Sequence, residues 1–156
     1  RDLVRSRGLG DVYKRQVDDD LRKIIEPGSS PIIERFKVID QIKKETKAHA
    51  GIHIMPIIPY LTDQPGNLNG LYKMAKKVNA DYVLPGTLYL RGQTKPYFLN
   101  CIKKYNYDLY QKIASLYYQK NALKTYKPKI YQTISELRKI YDLPAQAKRS
   151  PKDQNL

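Results

Sequence analysis

Several residues stand where a chain commonly places groups that bind ligands. Glu26 precedes Pro-Gly in a predicted loop, Arg35 lies in the first turn of a predicted helix, and Arg91 follows an apolar segment and precedes a glycine. A further stretch, "GIHIMPIIPYLTD" at residues 51–63, is an apolar strand that ends at two prolines and then becomes polar. Carboxylate and guanidinium groups at such positions can bind the polar groups of a ligand.

The end of that strand permits two interpretations. Pro56 and Pro59 remove two backbone donors and fix the chain where it leaves the sheet. The exposed carbonyls and amides around Ile57 and Ile58 can then face a flat ligand. The alternative is that Pro-x-x-Pro only ends the strand and begins a loop.

The charged candidates also have structural alternatives. A cation in the first turn of a helix is not favoured by the helix dipole, so Arg35 needs a partner, either Glu26 or the carboxylate of a ligand. Arg91 is either a phosphate or carboxylate ligand or an exposed loop arginine. Asp63 either caps the next helix, which we favour, or closes the loop over a site.

No metal site is expected from this chain. His49 and His53 are four residues apart, but Gly51 lies between them at a helix-to-strand junction, so they do not share a helical face. Cys101 is the single cysteine, which excludes an internal disulfide framework and suits a reducing compartment.

Alternating helical and strand patterns must position these residues. A helix is predicted to begin at Ser30-Pro31, with Ser30 as N-cap, and to end near residues 48–50. The following order is predicted: a strand over 52–58 that is covered on both faces, a turn-rich loop over 63–69, a helix ending at Asn79, and a strand over 81–90. This order predicts right-handed crossovers and a parallel sheet. Three further helices are predicted over 96–104, 108–119 and 128–141.

The charge balance favours polyanionic partners. The chain of 156 residues carries 29 Lys and Arg against 15 Asp and Glu, a net charge of +14. Residues 95–152 hold thirteen basic and three acidic side chains, interleaved with tyrosines that either stack on nucleic-acid bases or form a core. No apolar run approaches the length of a membrane span, so we expect no membrane partner.

The chain divides into four parts. Residues 1–16 have neither helical nor strand periodicity and resemble translated adaptor or vector sequence, so we expect disorder there. Residues 17–94 carry the α/β pattern, residues 95–143 a basic helical extension rich in tyrosine, and residues 144–156 a disordered tail. Two strands with four or five helices do not complete a parallel α/β domain, so we expect a first half to be missing.

Residues 26–143 resemble the C-terminal half of radical S-adenosylmethionine proteins of the spore photoproduct lyase-like group, which are often called DNA repair photolyases. The resemblance rests on "EPGSSPIIERF", "GIHIMPIIPYLTD" and "ADYVLPGTLYLRGQTKPYF", in that order and spacing. It implies the C-terminal part of a partial TIM-type (βα)6 barrel. Function in such barrels gathers at the C-terminal ends of the strands.

The resemblance also implies a chemistry. Such enzymes hold a 4Fe–4S cluster on a CxxxCxxC loop, cleave S-adenosylmethionine reductively to a 5′-deoxyadenosyl radical, and need an electron donor. The chain lacks that loop, so it is expected to be inactive alone, although its parent is a cytoplasmic lyase-like enzyme that could act on nucleic acid. The residues expected to line the cofactor side of the site are Glu26, Arg35, Pro56, Ile57, Ile58, Pro59 and Arg91.

Two other functions remain open at this point. One is a small basic module that binds DNA or RNA without catalysis. The other is an α/β fragment without an activity of its own, because a fold by itself does not determine function.

Overall fold

The computed structural model describes residues 23–146. In chain order these form α1 (Ile32–Glu45), β1 (Ile52–Ile57), α2 (Pro65–Lys77), β2 (Val83–Thr87), α3 (Thr94–Tyr105), α4 (Tyr107–Tyr118) and α5 (Ala122–Tyr141). Residues 23–25 are also helical. The predicted mixed α/β class is confirmed. The expectations for residues 1–16 and for most of the tail lie outside the described residues.

The two strands form a parallel sheet, as their order along the chain predicts. Ile52 is paired with Val83 and Ile57 with Thr87, and the register is irregular between Ile54 and Ile57. The peptide bond between Met55 and Pro56 is cis in this irregular stretch. Within residues 23–146 the sheet contains these two strands.

The prediction that β1 is covered on both faces is wrong for the described part of the chain. Ile57 is buried, whereas His53, Met55 and Pro56 are exposed. The difference arises because the described helices cover the side of the strand that carries Ile52 and Ile54 more fully than the opposite side. An apolar sequence shows that a strand can be buried on both faces but does not supply the second layer.

The larger of two hydrophobic cores joins the sheet to α1, α2 and α5. Its fully buried members include Leu68 and Tyr72 of α2, Val83 of β2 and Ile134 of α5. Burial raises the pKa of the Tyr72 hydroxyl to about 12, although the charge of Arg138 acts in the opposite direction. The last helix therefore shares one core with the α/β part of the chain.

A second core lies where the strands end and α3 and α4 begin. Ile58 and Leu88, which follow β1 and β2, pack there against Leu99 and Ile102 of α3 and Ile113 of α4. The α3 and α4 helices run antiparallel, since Lys95 at the start of α3 donates to the carbonyl of Tyr117 at the end of α4 at 2.9 Å. Tyr117 in turn donates from its hydroxyl to the carbonyl of Leu88 at 2.7 Å, and burial raises its pKa.

The end of α1 is tied to the sheet by one carboxylate. Lys43 donates from Nζ to both oxygens of Asp81, at 2.9 and 2.8 Å, and the backbone amide of Ala50 donates to Asp81 at 2.7 Å. Burial by itself raises the pKa of the Asp81 carboxyl, but these bonds and the charges of Lys43 and His49 together hold it below its usual value. This contact fixes α1 beside β1.

The structure corrects some of the predicted helix ends. The N-cap of α1 is Pro31, and no side chain caps it, so Ser30 is not the cap. The α2 helix begins at Pro65, within the predicted loop, because proline suits a first helical position. Asn79, at which the sequence predicts that this helix ends, has the left-handed conformation that is common just after a helix.

The α5 helix begins before Pro128, which therefore lies inside it. The preceding turn remains helical because Tyr126 packs against the larger core and donates from its hydroxyl to Asp63 at 2.8 Å. Asp63 does not cap α2, whose N-cap position is Gln64. The sequence does not reveal this contact between residues that are 63 positions apart.

Candidate functional site

A largely apolar cavity of about 300 Å³ lies between α1, β1 and the start of α2. Its volume is at the lower end of the range for small-molecule sites. Most of its walls are aliphatic or aromatic: Ile32, Phe36, Ile39, Ile52, Ile54, Met55, Leu61 and Leu71. The cavity therefore suits a ligand with a sizeable apolar or aromatic part.

One wall of the cavity is the edge of β1 that does not pair with β2. The amide of Ile52 donates to the carbonyl of Tyr82 at 3.0 Å, toward β2. Because backbone groups alternate between the two edges of a parallel strand, those of His53 are directed to the opposite edge. Both His53 and Met55 line the cavity.

A pair of opposite charges also lines the cavity. The guanidinium Nη2 of Arg35 lies 3.5 Å from a carboxylate oxygen of Glu26, and the two side chains are 52% and 48% exposed. The Arg35 Nε donates to the carbonyl of Ser30 at 3.2 Å, which holds the guanidinium near the start of α1. An exposed pair of this kind contributes little to stability and leaves both groups able to contact a ligand.

The structure brings together several residues that the sequence singled out. Glu26, Arg35, Pro56 and Ile58 all line the cavity. They come from a loop, a helix and the end of a strand. The partner expected for Arg35 is present, since it is Glu26 that lies beside it.

The other predicted site residues lie elsewhere. Ile57 and Pro59 are buried, with Ile57 in the larger core, and neither lines the cavity. Arg91 is exposed in the loop before α3, where its amide and carbonyl bond the hydroxyl of Thr94. Arg91 does not line the cavity either.

Two polar residues of the cavity wall were not anticipated from the sequence. Asn67 donates from Nδ2 to the carbonyl of Thr62 at 2.6 Å, and Thr62 accepts from the amide of Ile58 through its hydroxyl at 2.7 Å. These bonds hold the chain in its turn from β1 into α2. The sequence contained one signal for this turn. Thr62 lies four residues after Ile58, and at this spacing a side chain can bond the backbone of the preceding turn.

A second polar cluster joins the loop after β1 to α5. Tyr60 has a positive φ of 63°, and its ring centroid lies 4.8 Å from that of Tyr126. Burial, together with the hydrogen bond to Asp63, raises the pKa of the Tyr126 hydroxyl. The second oxygen of the Asp63 carboxylate is buried without a hydrogen-bond partner.

The antiparallel helices α3 and α4 present tyrosines and lysines together. The Nζ of Lys95 lies 4.8 Å from the ring centroid of Tyr118, and that of Lys103 lies 5.9 and 5.5 Å from the rings of Tyr107 and Tyr110. Such cation–π contacts hold a positive charge against an aromatic face. Tyr107 and Tyr118 are nevertheless 55% and 61% exposed.

Among residues 23–146 no group of three or more His, Cys, Asp or Glu side chains is arranged to hold a metal ion. Cys101, the single cysteine, is partly buried in α3. None of the helices in this part of the chain has the length and hydrophobicity needed to cross a bilayer.

The chain matches no family model, and neither the curated proteins nor the solved structures contain a match to it.

Proposed function

We propose that the cavity binds the adenosyl portion of S-adenosylmethionine, and that the chain is the later part of a radical S-adenosylmethionine enzyme of the spore photoproduct lyase-like group. In that proposal β1 and β2 belong to a partial (βα)6 barrel. One observation carries it: Glu26, Arg35, Pro56 and Ile58, singled out by sequence motifs, line a single cavity.

The chemistry of the cavity wall fits this ligand. The apolar side chains of α1 and β1 pack against a flat adenine ring and exclude water from it. The open edge of β1 offers backbone groups for the polar rim of the ring, beside His53 and Met55. Arg35 binds the carboxylate of the methionine portion, and Glu26 binds either its ammonium group or the ribose hydroxyls.

The residues of the chain do not fit a 4Fe–4S cluster. A cluster loop of this group needs three cysteines, whereas the chain contains only Cys101. When bound, S-adenosylmethionine supplies the adenosyl group for cleavage, and the contribution of this chain is to bind and orient that group. For the complete enzyme we propose a cytoplasmic location and an electron-donor partner.

Two ligands that differ in one part test the proposal. S-adenosylmethionine carries the carboxylate and ammonium groups, and 5′-methylthioadenosine carries the same adenosyl group without them. Isothermal titration of the 156-residue chain should detect binding of both. Arg35→Ala should weaken S-adenosylmethionine by ~1 kcal/mol, about fivefold in Kd, and leave 5′-methylthioadenosine unchanged.

A matched control is available on the same helix. Lys37 is an exposed cation in the next half-turn, paired with Glu34 at 2.8 Å, and it does not line the cavity. Lys37→Ala should leave both ligands unaffected. Equal weakening of both ligands by Arg35→Ala would contradict the assigned role of Arg35, and absence of binding by either ligand would contradict the proposal itself.

A second function is favoured by the surface of α3 and α4. We propose that this basic surface contacts nucleic acid, either as part of the enzyme or as a binding module without catalysis. The supporting observation is that the exposed rings of Tyr107 and Tyr118 lie beside lysines there, in a chain with a net charge of +14. Fluorescence anisotropy with a labelled oligonucleotide should show binding that falls steeply between about 50 and about 200 mM salt.

A further inference from the structure

We infer that the seam between α3 and α4 binds single-stranded nucleic acid by stacking unpaired bases on Tyr107 and Tyr118. This inference rests on the proposed contact with nucleic acid and specifies the form that is bound. The seam consists of Tyr107, Tyr110 and Tyr118 of α4 together with Lys95 and Lys103 of α3.

The two exposed tyrosines point to the same side of α4. They are eleven residues apart, which is close to three full helical turns, so their directions differ by about 20°. The same spacing separates them by ~16 Å along the helix axis. That distance is several times the ~3.4 Å spacing of adjacent bases in a duplex strand, so the two rings contact different bases.

Each tyrosine has a cation beside it that comes from the neighbouring helix. Lys95 lies over Tyr118 and Lys103 over Tyr107 and Tyr110, so positive charge is present at both ends of the seam. The Lys95 ammonium is also held by the carbonyl of Tyr117, which fixes its position. A ring next to a cation matches the repeating unit of a single strand, a flat base next to a phosphate.

The surrounding charge is complementary to a phosphate backbone. Residues 94–118 contain Lys95, Lys103, Lys104 and Lys112 but only one acidic residue, Asp108. The tyrosine rings favour unpaired bases because the faces of bases in a duplex are already stacked on each other. Neither stacking nor phosphate contact involves the sugar, so DNA and RNA strands of the same sequence should bind alike.

The experiment compares strands that differ only in pairing or in the sugar. The probes are fluorescein-labelled oligo-deoxyuridine and oligo-uridine of about a dozen nucleotides, and a duplex of the first with its complement. Fluorescence anisotropy with the 156-residue chain should give single-strand binding at least tenfold tighter than duplex binding. The deoxy and ribo strands should agree within about threefold.

Variants assign the binding to the seam. Tyr107→Leu combined with Tyr118→Leu should weaken single-strand binding by about tenfold or more and leave duplex binding unchanged, since each stacked base contributes substantially. The Phe replacements keep the rings and should bind normally, which separates loss of stacking from misfolding. Tyr131, an exposed tyrosine of α5, serves as the control, and Tyr131→Leu should bind like the unmodified chain.

The outcomes separate the inference from the function on which it rests. Equal affinity for single strand and duplex overturns the inference but leaves nucleic-acid binding in place. A single-strand preference that survives loss of both seam rings overturns the assignment to the seam, and a large difference between deoxy and ribo strands overturns sugar independence. Absence of binding to every probe at about 50 mM salt overturns the inference and the proposed contact with nucleic acid together.

Discussion

Replacing Asp81 by asparagine should destabilise the fold, because this carboxylate holds α1 against the sheet. It accepts from Lys43 through both oxygens and from the amide of Ala50, and the Asp81 and Lys43 side chains are only 24% and 20% exposed. The asparagine side chain removes the negative charge and retains one oxygen as an acceptor. Lys43 is then left as a largely buried cation without its counter-ion.

The expected loss follows from the number and type of these bonds. A hydrogen bond to a charged partner contributes about 1.5–3 kcal/mol, and breaking a completely buried ion pair costs about 3–5 kcal/mol. Because both side chains retain some exposure, we expect Asp81→Asn to lower the free energy of unfolding by about 2 kcal/mol. In a chain of this size that corresponds to a fall in Tm of ~4–8 °C.

Urea denaturation measures the effect and its dependence on pH. The chain has no tryptophan and fourteen tyrosines, so tyrosine fluorescence and circular dichroism are suitable probes. The pKa of Asp81 is lowered in the folded state, so its contribution is fully present above the unfolded value of about 3.9 and is lost as the pH falls through the folded pKa. The difference between the two proteins should therefore be constant above about pH 5 and shrink below about pH 4.

A surface pair on the same helix provides the control. Asp40 contacts Lys44 at 2.6 Å, and the Lys44 side chain is highly exposed, so Asp40→Asn should cost less than ~0.5 kcal/mol. If Asp81→Asn costs no more than Asp40→Asn at neutral pH, the ion pair does not anchor α1. A difference that persists undiminished in acid would show that the charge of Asp81 is not its cause.

Tyr126→Phe should lower the free energy of unfolding by about 1–2 kcal/mol in urea titrations, because it removes the hydrogen bond to one Asp63 oxygen while the other oxygen is already buried without a partner; an unchanged midpoint would contradict that role. Gly51→Ala should lower the free energy of unfolding by about 1–3 kcal/mol, since an added Cβ would lie 2.3 Å from ring atoms of Tyr82. An unchanged free energy of unfolding would mean that the ring moves freely. Gly66→Ala, where a Cβ meets nothing within 4 Å, should instead stabilise α2 by about 0.5–1 kcal/mol in the same titration, and a loss would contradict an unstrained site there.

Periodicity in the sequence predicted most of the elements because it reports which side of an element is buried. In α5, Ile130, Ile134 and Leu137 recur at helical spacing, and all three are buried in the larger core. The succession of helix and strand likewise predicted the parallel pairing of β1 with β2. These features depend on residues that are close together in the sequence, so a pattern in the sequence reveals them.

Positions fixed by distant contacts were not predictable in this way. The start of α5 depends on the contact of Tyr126 with Asp63. The end of α1 depends on the contact of Asp81 with Lys43, which lies on the polar face of the helical pattern. A lysine on a polar face normally indicates exposure to solvent. Lys43 belongs to a largely buried pair only because the turn before β2 brings Asp81 next to the end of α1.

Only part of the candidate site could be predicted from the sequence. Motifs selected Pro56, Ile57 and Ile58 together, but the irregular register after Ile54 prevents the usual alternation from showing which of them faces the cavity. The structure directs Ile57 into the core and places Pro56 and Ile58 on the cavity wall. Arg91 belongs to the loop before α3, and no pattern in the sequence gives the path of that loop.

The two methionines of the chain allow the most direct test of ligand binding in the cavity. Met55 lines the cavity, whereas Met74 is buried in the larger core and does not line it. With 13C-methyl methionine in the 156-residue chain, titration with 5′-methylthioadenosine should shift the Met55 methyl resonance through the ring current of adenine. The Met74 resonance should remain in place. If the Met55 resonance does not move at saturating ligand, or if only Met74 responds, the cavity is not the adenosyl site.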